Sequence, residues 1–557
     1  MNTPQKPKKR NVSRKTFLTY LAGGTLVLGA NACDKLLPRP HKLSTPEVTT
    51  KPSDNGVYDL NRIRPLAKKL TAPQLLTINQ PSAQLGQPLA LDSFESSLVY
   101  ERLLTVDPRT AGLIGGAAIT LEWIDADTIN FLVRPNNFFH ATDPNANDLL
   151  PVSNTMIAED FRIKNNSKSY FWNEIVGSIH EVPDTRSPNG TVQLKLNGTY
   201  SHLLNDLSSV AGEIRSPYRY KNFSERSGSG PFKPILVQPD VHNLMRNIRS
   251  TAVGNSVLEQ ITYKKLDPDQ WREPASSDIP GIWLNKEPSG ITTDLIKDIR
   301  FANSLWILGM RIPTANTEQV TPGNALLKDP RMRKAITHAV DSDVIAGYVN
   351  GLSATLIAGP YTADILSANQ IASTRSLMFD RDLAGEYLGA IGYGSEPLRL
   401  LHLNLEPYIS LMSILKSQLQ AVGLVIEPVP ISPQRLQETL TTTSFDLALL
   451  KIGPQPTPNQ ALRMYGTSNQ RGDADNPWGF SSPVFDTIIE DAARTMLPAE
   501  RSQLHVEAQK VLLDLAPAVL PLATESSSVW IDSRVRGYYH DAYDYNQTSL
   551  SLNWHIS

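Results

Sequence analysis

One cysteine in 557 residues, Cys33, leaves this chain without an internal disulfide. Whatever it folds into is held by buried apolar surface rather than by cross-links. Cys33 also closes an almost uncharged apolar run, Phe17 to Ala32, that follows Lys6, Lys8, Lys9, Arg10, Arg14 and Lys15. A basic n-region, a short apolar h-region and small residues at its end are the order of a secretory signal. The run spans 16 residues, short of the roughly 20 that cross a bilayer as a helix. The 525 residues from Cys33 onward exceed what one core usually supports, which predicts two or three lobes.

Ala30-Asn31-Ala32-Cys33 resembles a bacterial lipoprotein signal, in which Cys33 becomes the lipid-bearing first residue. Ala30-x-Ala32 also suits ordinary signal-peptidase cleavage, so both fates are open. Ser13 to Leu18 resembles a twin-arginine export motif with Lys15 in place of the second Arg, which leaves the export route open as well. The expected location is extracytoplasmic, with a lipid anchor to the cell membrane. Removing residues 1–32 takes away six cations and no anion. That leaves 47 Lys and Arg against 55 Asp and Glu, a net charge of −8 in place of −2. A phosphate-tracking surface wants a basic stripe; none is present, so no nucleic-acid partner is expected.

Residues 33–70 are rich in Pro, Lys, Thr and Ser, with little hydrophobic periodicity, and read as a flexible spacer behind the anchor. From about Leu75 the pattern is mixed α/β. Thr128–Val133 and Thr191–Leu196 alternate like half-buried strands. Pro330 opens a helical stretch capped by Asp329, with Met332, Ala335, Ile336 and Ala339 on one face, ending at Asn350-Gly351. Tyr408–Val422 and Ala499–Leu515 read as further helices. Leu424-Val425-Ile426 directly behind the first of these makes a helix-to-strand unit of the α/β kind.

No catalytic constellation stands out. The ten His residues contain no His-x-x-x-His pair, Gly-x-Ser-x-Gly is absent, and no cofactor or metal is expected. Gly228-Ser229-Gly230-Pro231-Phe232 lacks the Lys-Ser/Thr of a phosphate loop and reads as a tight turn entering a strand. A large exported chain without evident chemistry suggests a binder rather than an enzyme.

The segments in order carry a resemblance. They are Ser97 to Pro108; Glu122-Trp123 through Arg134-Pro135 to Phe138-Phe139-His140; Ala158-Glu159-Asp160-Phe161; and Gly228 to Phe232. Arg246-Asn247, Leu258 to Ile261, Asp329 to Ile336 with Ala339-Val340-Asp341, Leu383-Ala384 to Gly392-Tyr393, Gln418-Leu419 to Gly423-Leu424, Phe445 to Leu449 and Ser482 to Asp486 complete the set. From about residue 75 to 550 the chain resembles the family-5 extracellular solute-binding proteins, the peptide- and nickel-type receptors of ABC importers. The resemblance implies a two-lobed α/β clamshell of mixed sheets, discontinuous in sequence. Lobe I is expected over 71–92, 213–304 and 523–557, an extra subdomain over 93–212, and lobe II over 305–522. It further implies a monomer that closes on a ligand and presents it to a membrane permease. A sensor on the same fold, and an exported hydrolase with an unrecognised site, are the alternatives.

One departure bears on the ligand. Oligopeptide-type members follow their Phe-Asp-Leu strand with a loop whose Asp holds the peptide amino terminus. Here Lys451 to Asn459 has Ile452 for the Trp, and Gln455 or a neighbour for the Asp. A buried ammonium without a carboxylate is costly, so capture of free peptides by that anchor is not expected unless Asp446 or Asp473 replaces it. Gln455 is the candidate polar contact, with the loop as a plain Pro-stiffened connector the alternative. Arg463 and Tyr465, just beyond, are candidates for a polar ligand group. Trp306 and Trp478 are candidates for ring contacts, core packing being the alternative for both. Arg331 and Arg333, in the first turn of their helix, are expected to pair with Asp329 or Asp341.

Overall fold

The structure is a computed structural model. It describes most of residues 74–538, with 47–48, 57–59 and 554–556. The longer stretches outside the description are 1–46, 49–56, 60–73, 82–92, 143–149, 248–257, 267–278, 314–320, 358–363, 371–378, 468–476 and 539–553. Cys33, its signal and Asp473 lie outside the described residues.

An 11-stranded mixed sheet runs through the molecule. Its path takes Phe232–Val237, Val241–Arg246, Gln260–Leu266, Leu75–Pro81 and Gly281–Leu284, then two long strands, Val519–Asp532 and Leu295–Met310, and ends through Leu447–Ile452, Leu398–Leu403 and Ile426–Ile431. The short strand Leu352–Ser353 pairs with Val519–Asp532 off this path. The two long strands cross from one lobe to the other. Residues 295–300 pair with 527–532, and 304–309 with 519–525, with shifts between Arg300 and Ser304 and between Trp306 and Ile307. Core membership changes at the crossing. Val529 and Ile531 pack with Leu76, Leu244 and Ile261 in lobe I, whereas Leu308 and Leu520 pack with Met332, Ile336 and Leu411 in lobe II. Lobe II carries a second core on the opposite face of its sheet, around Ile307, Phe445, Leu450 and Leu512.

The subdomain is built on a five-stranded sheet ordered Val57–Asp59, Ala118–Trp123, Thr128–Val133, Thr191–Leu196, Val176–Val182, with a core from Leu103 to Ile214 that also takes in Ala493. Thr128–Val133 and Thr191–Leu196 have the bounds the alternation predicts. The spacer reading needs correction at two places, because Glu47–Val48 and Val57–Asp59 pair as edge strands on the subdomain's sheets. The helix Ser93–Val99, assigned to the subdomain from sequence, instead contributes Leu98, Val99 and the following Tyr100 to the lobe I core.

Asp329 caps the helix Pro330–Ala339 through Arg331 N–H (2.8 Å), and Met332, Ala335, Ile336 and Ala339 are buried as the 3.6-residue pattern requires. The helix does not run on to Asn350. It stops at Val340, and Asp341 caps a new helix, Ser342–Tyr348. Gln418 Oε1 holds the Asp341 N–H (3.0 Å) and fixes that break. Arg331 pairs with Asp329 (2.6 Å), while Arg333 donates to the carbonyls of Leu327 and Lys328.

Gly228 and Gly230 serve close approach rather than a turn. A Cβ on either would stand 2.1 or 2.5 Å from the carbonyl oxygen of Val99 or Leu98. His140 Nε2 and Nδ1 sit 3.0 Å from Gly230 O and 2.6 Å from the Tyr220 hydroxyl, clamping the segment.

Candidate functional site

The lobes meet along two stretches, the strand crossing and a seam between the subdomain and lobe II. At the crossing, Trp306 lies opposite Lys451 on one side, while Glu525 lies opposite Ser304 on the other. Glu525 Oε2 accepts from Trp306 Nε1 (2.6 Å) and pairs with Lys451 Nζ (2.9 Å). Lys451 also stands 5.7 Å over the Trp306 ring, and Tyr408 meets that ring edge-on at 4.8 Å. Trp306 is fully buried and packs in the lobe II core. One residue past the Ile452–Leu305 pair, Gly453 begins the loop that reaches Thr457. The loop therefore leaves the sheet level with the crossing. Gln455 is half-buried in it and donates to Gly453 O (3.2 Å).

At the seam, Thr457 Oγ1 caps the helix Pro458–Arg463 through Gln460 N–H (3.2 Å). The side-chain amide of Gln460 donates to Asp206 Oδ1 on the subdomain, and Tyr200 OH donates to Asp206 Oδ2 (2.6 Å). Burial pushes the Asp206 carboxyl up to about 7, against the opposing pull of Tyr200, Arg463 and Gln460. Alongside, Ser201 N–H and Oγ donate to Ala493 O (2.8 and 3.0 Å). His202 stacks on His505 at 5.9 Å. Burial, with Arg501 and His505 close by, holds His202 well below the ordinary imidazole range. His505 Nδ1 stands 3.5 Å from Asp364 Oδ1, too poorly aligned for a hydrogen bond.

Of the residues singled out from sequence, Gln455 and Arg463 stand at this junction, Arg463 beside Asp206. Trp478 and Tyr465 are both buried. Trp478 is 2% exposed, set edge-on to Phe445 and laid against Gly309, where a Cβ would stand 2.1 Å from its ring. Tyr465 is 1% exposed and spends its hydroxyl on Leu356 O (2.6 Å). Both are core residues of lobe II. Polar residues near glycines suggested exposure, but lobe II folds that segment over its own sheet. Asp446 is not free to replace the missing anchor. It is fully buried at the far end of its strand, accepting from Arg399 N–H (2.7 Å) and Thr321 Oγ1.

Sequence reasoning missed Lys451, Glu525, Tyr200, His202, Asp206, Gln460 and His505. A lone charge closing the apolar strand Leu447–Ile452 was the one available signal; the seam residues share no spacing. Among the described residues, no group of three or more His, Cys, Asp and Glu is placed to hold a metal ion, and no helix is long and apolar enough to cross a membrane. The described residues of the junction offer polar grips.

Three solved structures share the fold. The ABC transporter-associated periplasmic binding protein DppA from Helicobacter pylori, in complex with the peptide STSA, is 16% identical over 86% of this chain and 98% of its own, with a TM-score of 0.69. The periplasmic binding protein AgaA from A. tumefaciens R10, in complex with agropinic acid, is 17% identical over 87% and 99%, with a TM-score of 0.67. NikZ from Campylobacter jejuni, in complex with Ni(L-His), is 16% identical over 87% and 100%, with a TM-score of 0.65. No curated protein matches the sequence. Residues 117–473 match the middle region of family 5 of the bacterial extracellular solute-binding proteins. With well over half its length matched and the two-lobed fold in place, this chain belongs to the bacterial extracellular solute-binding proteins of family 5.

Proposed function

We propose that the chain is the exported receptor of an ABC importer, anchored by lipid on Cys33. It takes a peptide-like or other polar small molecule into the cleft between its lobes and delivers it to a membrane permease as a monomer. The observation that carries this reading is the strand crossing. Regular pairing breaks between Arg300 and Ser304, where the two lobes join, so bending there disturbs the least ladder. The loop Gly453–Thr457 leaves the sheet at the same level. Ligand entry, bending at the crossing and desolvation of the loop follow as one closing movement.

The ligand class follows from charge. No carboxylate lies in the loop, Asp446 is committed elsewhere, and Glu525 is already neutralised by Lys451 at 2.9 Å. An incoming ammonium would have to displace Lys451. A neutral or blocked polar group suits Gln455, whose amide both donates and accepts.

Native mass spectrometry of protein purified without refolding, with small-angle scattering and calorimetric titration against free and N-acetylated tripeptides, opines and sugars, tests both parts. A retained or titrated ligand that shrinks the radius of gyration supports the receptor. Turnover of any ligand, or binding that leaves the radius unchanged, overturns it. Binding of a free-amino tripeptide that is lost on acetylation overturns the ligand class alone.

A further inference from the structure

The seam holds a fully buried carboxylate, two stacked imidazoles and a buried amide, and nothing in ligand capture as described above uses them. Asp206 and His505 are 0% exposed, His202 and Asn459 1%. All four ring nitrogens of the two histidines, and Asn459 Oδ1, lack a hydrogen-bond partner. Gln460 is held at two points, its N–H by Thr457 and its side chain by Asp206. Thr457 is the last residue of the loop that begins at Gly453.

We propose that Asp206 is a positioning residue for the ligand cleft: through Gln460 and Thr457 it fixes the loop Gly453–Thr457 against the subdomain, and the seam is a contact made on closure. The link to a ligand rests on the receptor reading above; the seam itself can be tested with no ligand present.

Its proton chemistry gives the contact a signature. Parted from lobe II, Asp206 and His202 return to water and titrate near 4 and 6.5. Assembled, Asp206 is lifted to about 7 and His202 held well below 6.5, in both cases chiefly by burial. The charged or titratable groups facing them are Tyr200 on the subdomain, Arg463 on the helix Pro458–Arg463, Arg501 and His505 on the helix Pro498–Asp514, and Asp364. Just below about pH 6.5 assembly moves a proton from His202 to Asp206 and takes up little from solvent. Above that pH His202 is neutral in both states, and assembly must protonate Asp206. The seam therefore weakens as pH rises through about 7.

The test is hydrogen exchange by mass spectrometry on the full mature chain, ligand-free, at pH 6 and pH 8, corrected for intrinsic exchange. Wild-type segments 200–208 and 453–463 are expected to exchange about two- to threefold faster at pH 8. In Asp206→Asn only His202 still titrates, so the dependence should reverse, with exchange up to about fourfold slower at pH 8. Gln460→Ala should lose protection at Gly453, Gln455 and Thr457 at both pH values, which keeps the test alive if Asp206→Asn does not fold. An Asp206→Asn profile of wild-type sign, or unchanged loop protection in Gln460→Ala, overturns the proposal. A chain that binds no solute would leave these readings intact.

Discussion

Glu525→Ala should destabilise lobe II far more than Lys451→Ala, although the two residues form one ion pair. The reason lies in what each leaves behind. Glu525 Oε2 is the acceptor of the Trp306 indole N–H at 2.6 Å, and Trp306 is fully buried. Removing the carboxylate strands a buried donor, which costs about 1–3 kcal/mol. Lys451 has 37% of its side chain exposed and leaves no buried polar atom unpaired, so its loss costs at most about 1 kcal/mol. Glu525→Gln keeps an oxygen for the indole and should fall between the two. For a unit of 150–250 residues each kcal/mol moves the melting temperature by about 2–4 °C. At the middle of these ranges Glu525→Ala should thus lower the lobe II transition by roughly 6 °C, and Lys451→Ala by about 3 °C at most. Scanning calorimetry is the assay, because it resolves lobes that melt separately. Equal shifts for the two variants would refute the reasoning and show the surface pair, not the indole acceptor, to be what matters.

Trp478→Ala should cost about 3–5 kcal/mol by leaving a cavity, and Gly309→Ala about 1–3 kcal/mol by forcing that ring aside; urea unfolding measures both, and a variant of either with wild-type stability would return Trp478 to the ligand site. His140 is buried and held down to about 4, chiefly by burial. It binds a proton in the unfolded chain before the folded one, so stability should fall as pH drops from about 6.5 to 4, by roughly 3 kcal/mol in all. His140→Gln should flatten that part of the pH profile. Cys33→Ala should move the exported protein from the detergent phase to the aqueous phase, or leave it uncleaved; a wild type already soluble with a free thiol at its first residue would end the lipid assignment.

The elements were far more legible than the junction, and the reason is range. Period-2 alternation in Thr128–Val133 and the Asp329 cap are local physics, so their bounds emerge from a few residues. The break at Val340 was hidden because Asp341 reads equally well as a helix residue or a cap; the choice is made by Gln418, 77 positions away. Trp478 and Tyr465 misled for a related reason. Their neighbours are polar, but burial is decided by Gly309, Phe445 and Leu356, which the chain brings from other elements. The seam is the extreme case, with Asp206 and Gln460 separated by 254 positions and joined by no motif.

The cluster at the crossing and the seam differ in what an opening movement would do to them. Lys451, Trp306 and Glu525 stand on adjacent strands, all on the lobe II side of the shift between Arg300 and Ser304. A bend at that shift carries the three together and breaks none of their contacts. The seam contacts have no such protection. Ser201 to Ala493, Asp206 to Gln460 and His202 to His505 each join the subdomain to lobe II, so separation exposes every one. On the proposed closing movement the crossing therefore keeps its geometry while the seam makes and breaks. Opening should expose the buried Asp206 and His202 to water and leave the Trp306 indole bonded to Glu525. Trp306 thus serves as an internal reference and the seam as the moving part. If indole exchange at Trp306 accelerated together with the amides of 200–208, the bend would lie on the lobe II side of the crossing, and the hinge assigned to residues 300–304 would be wrong.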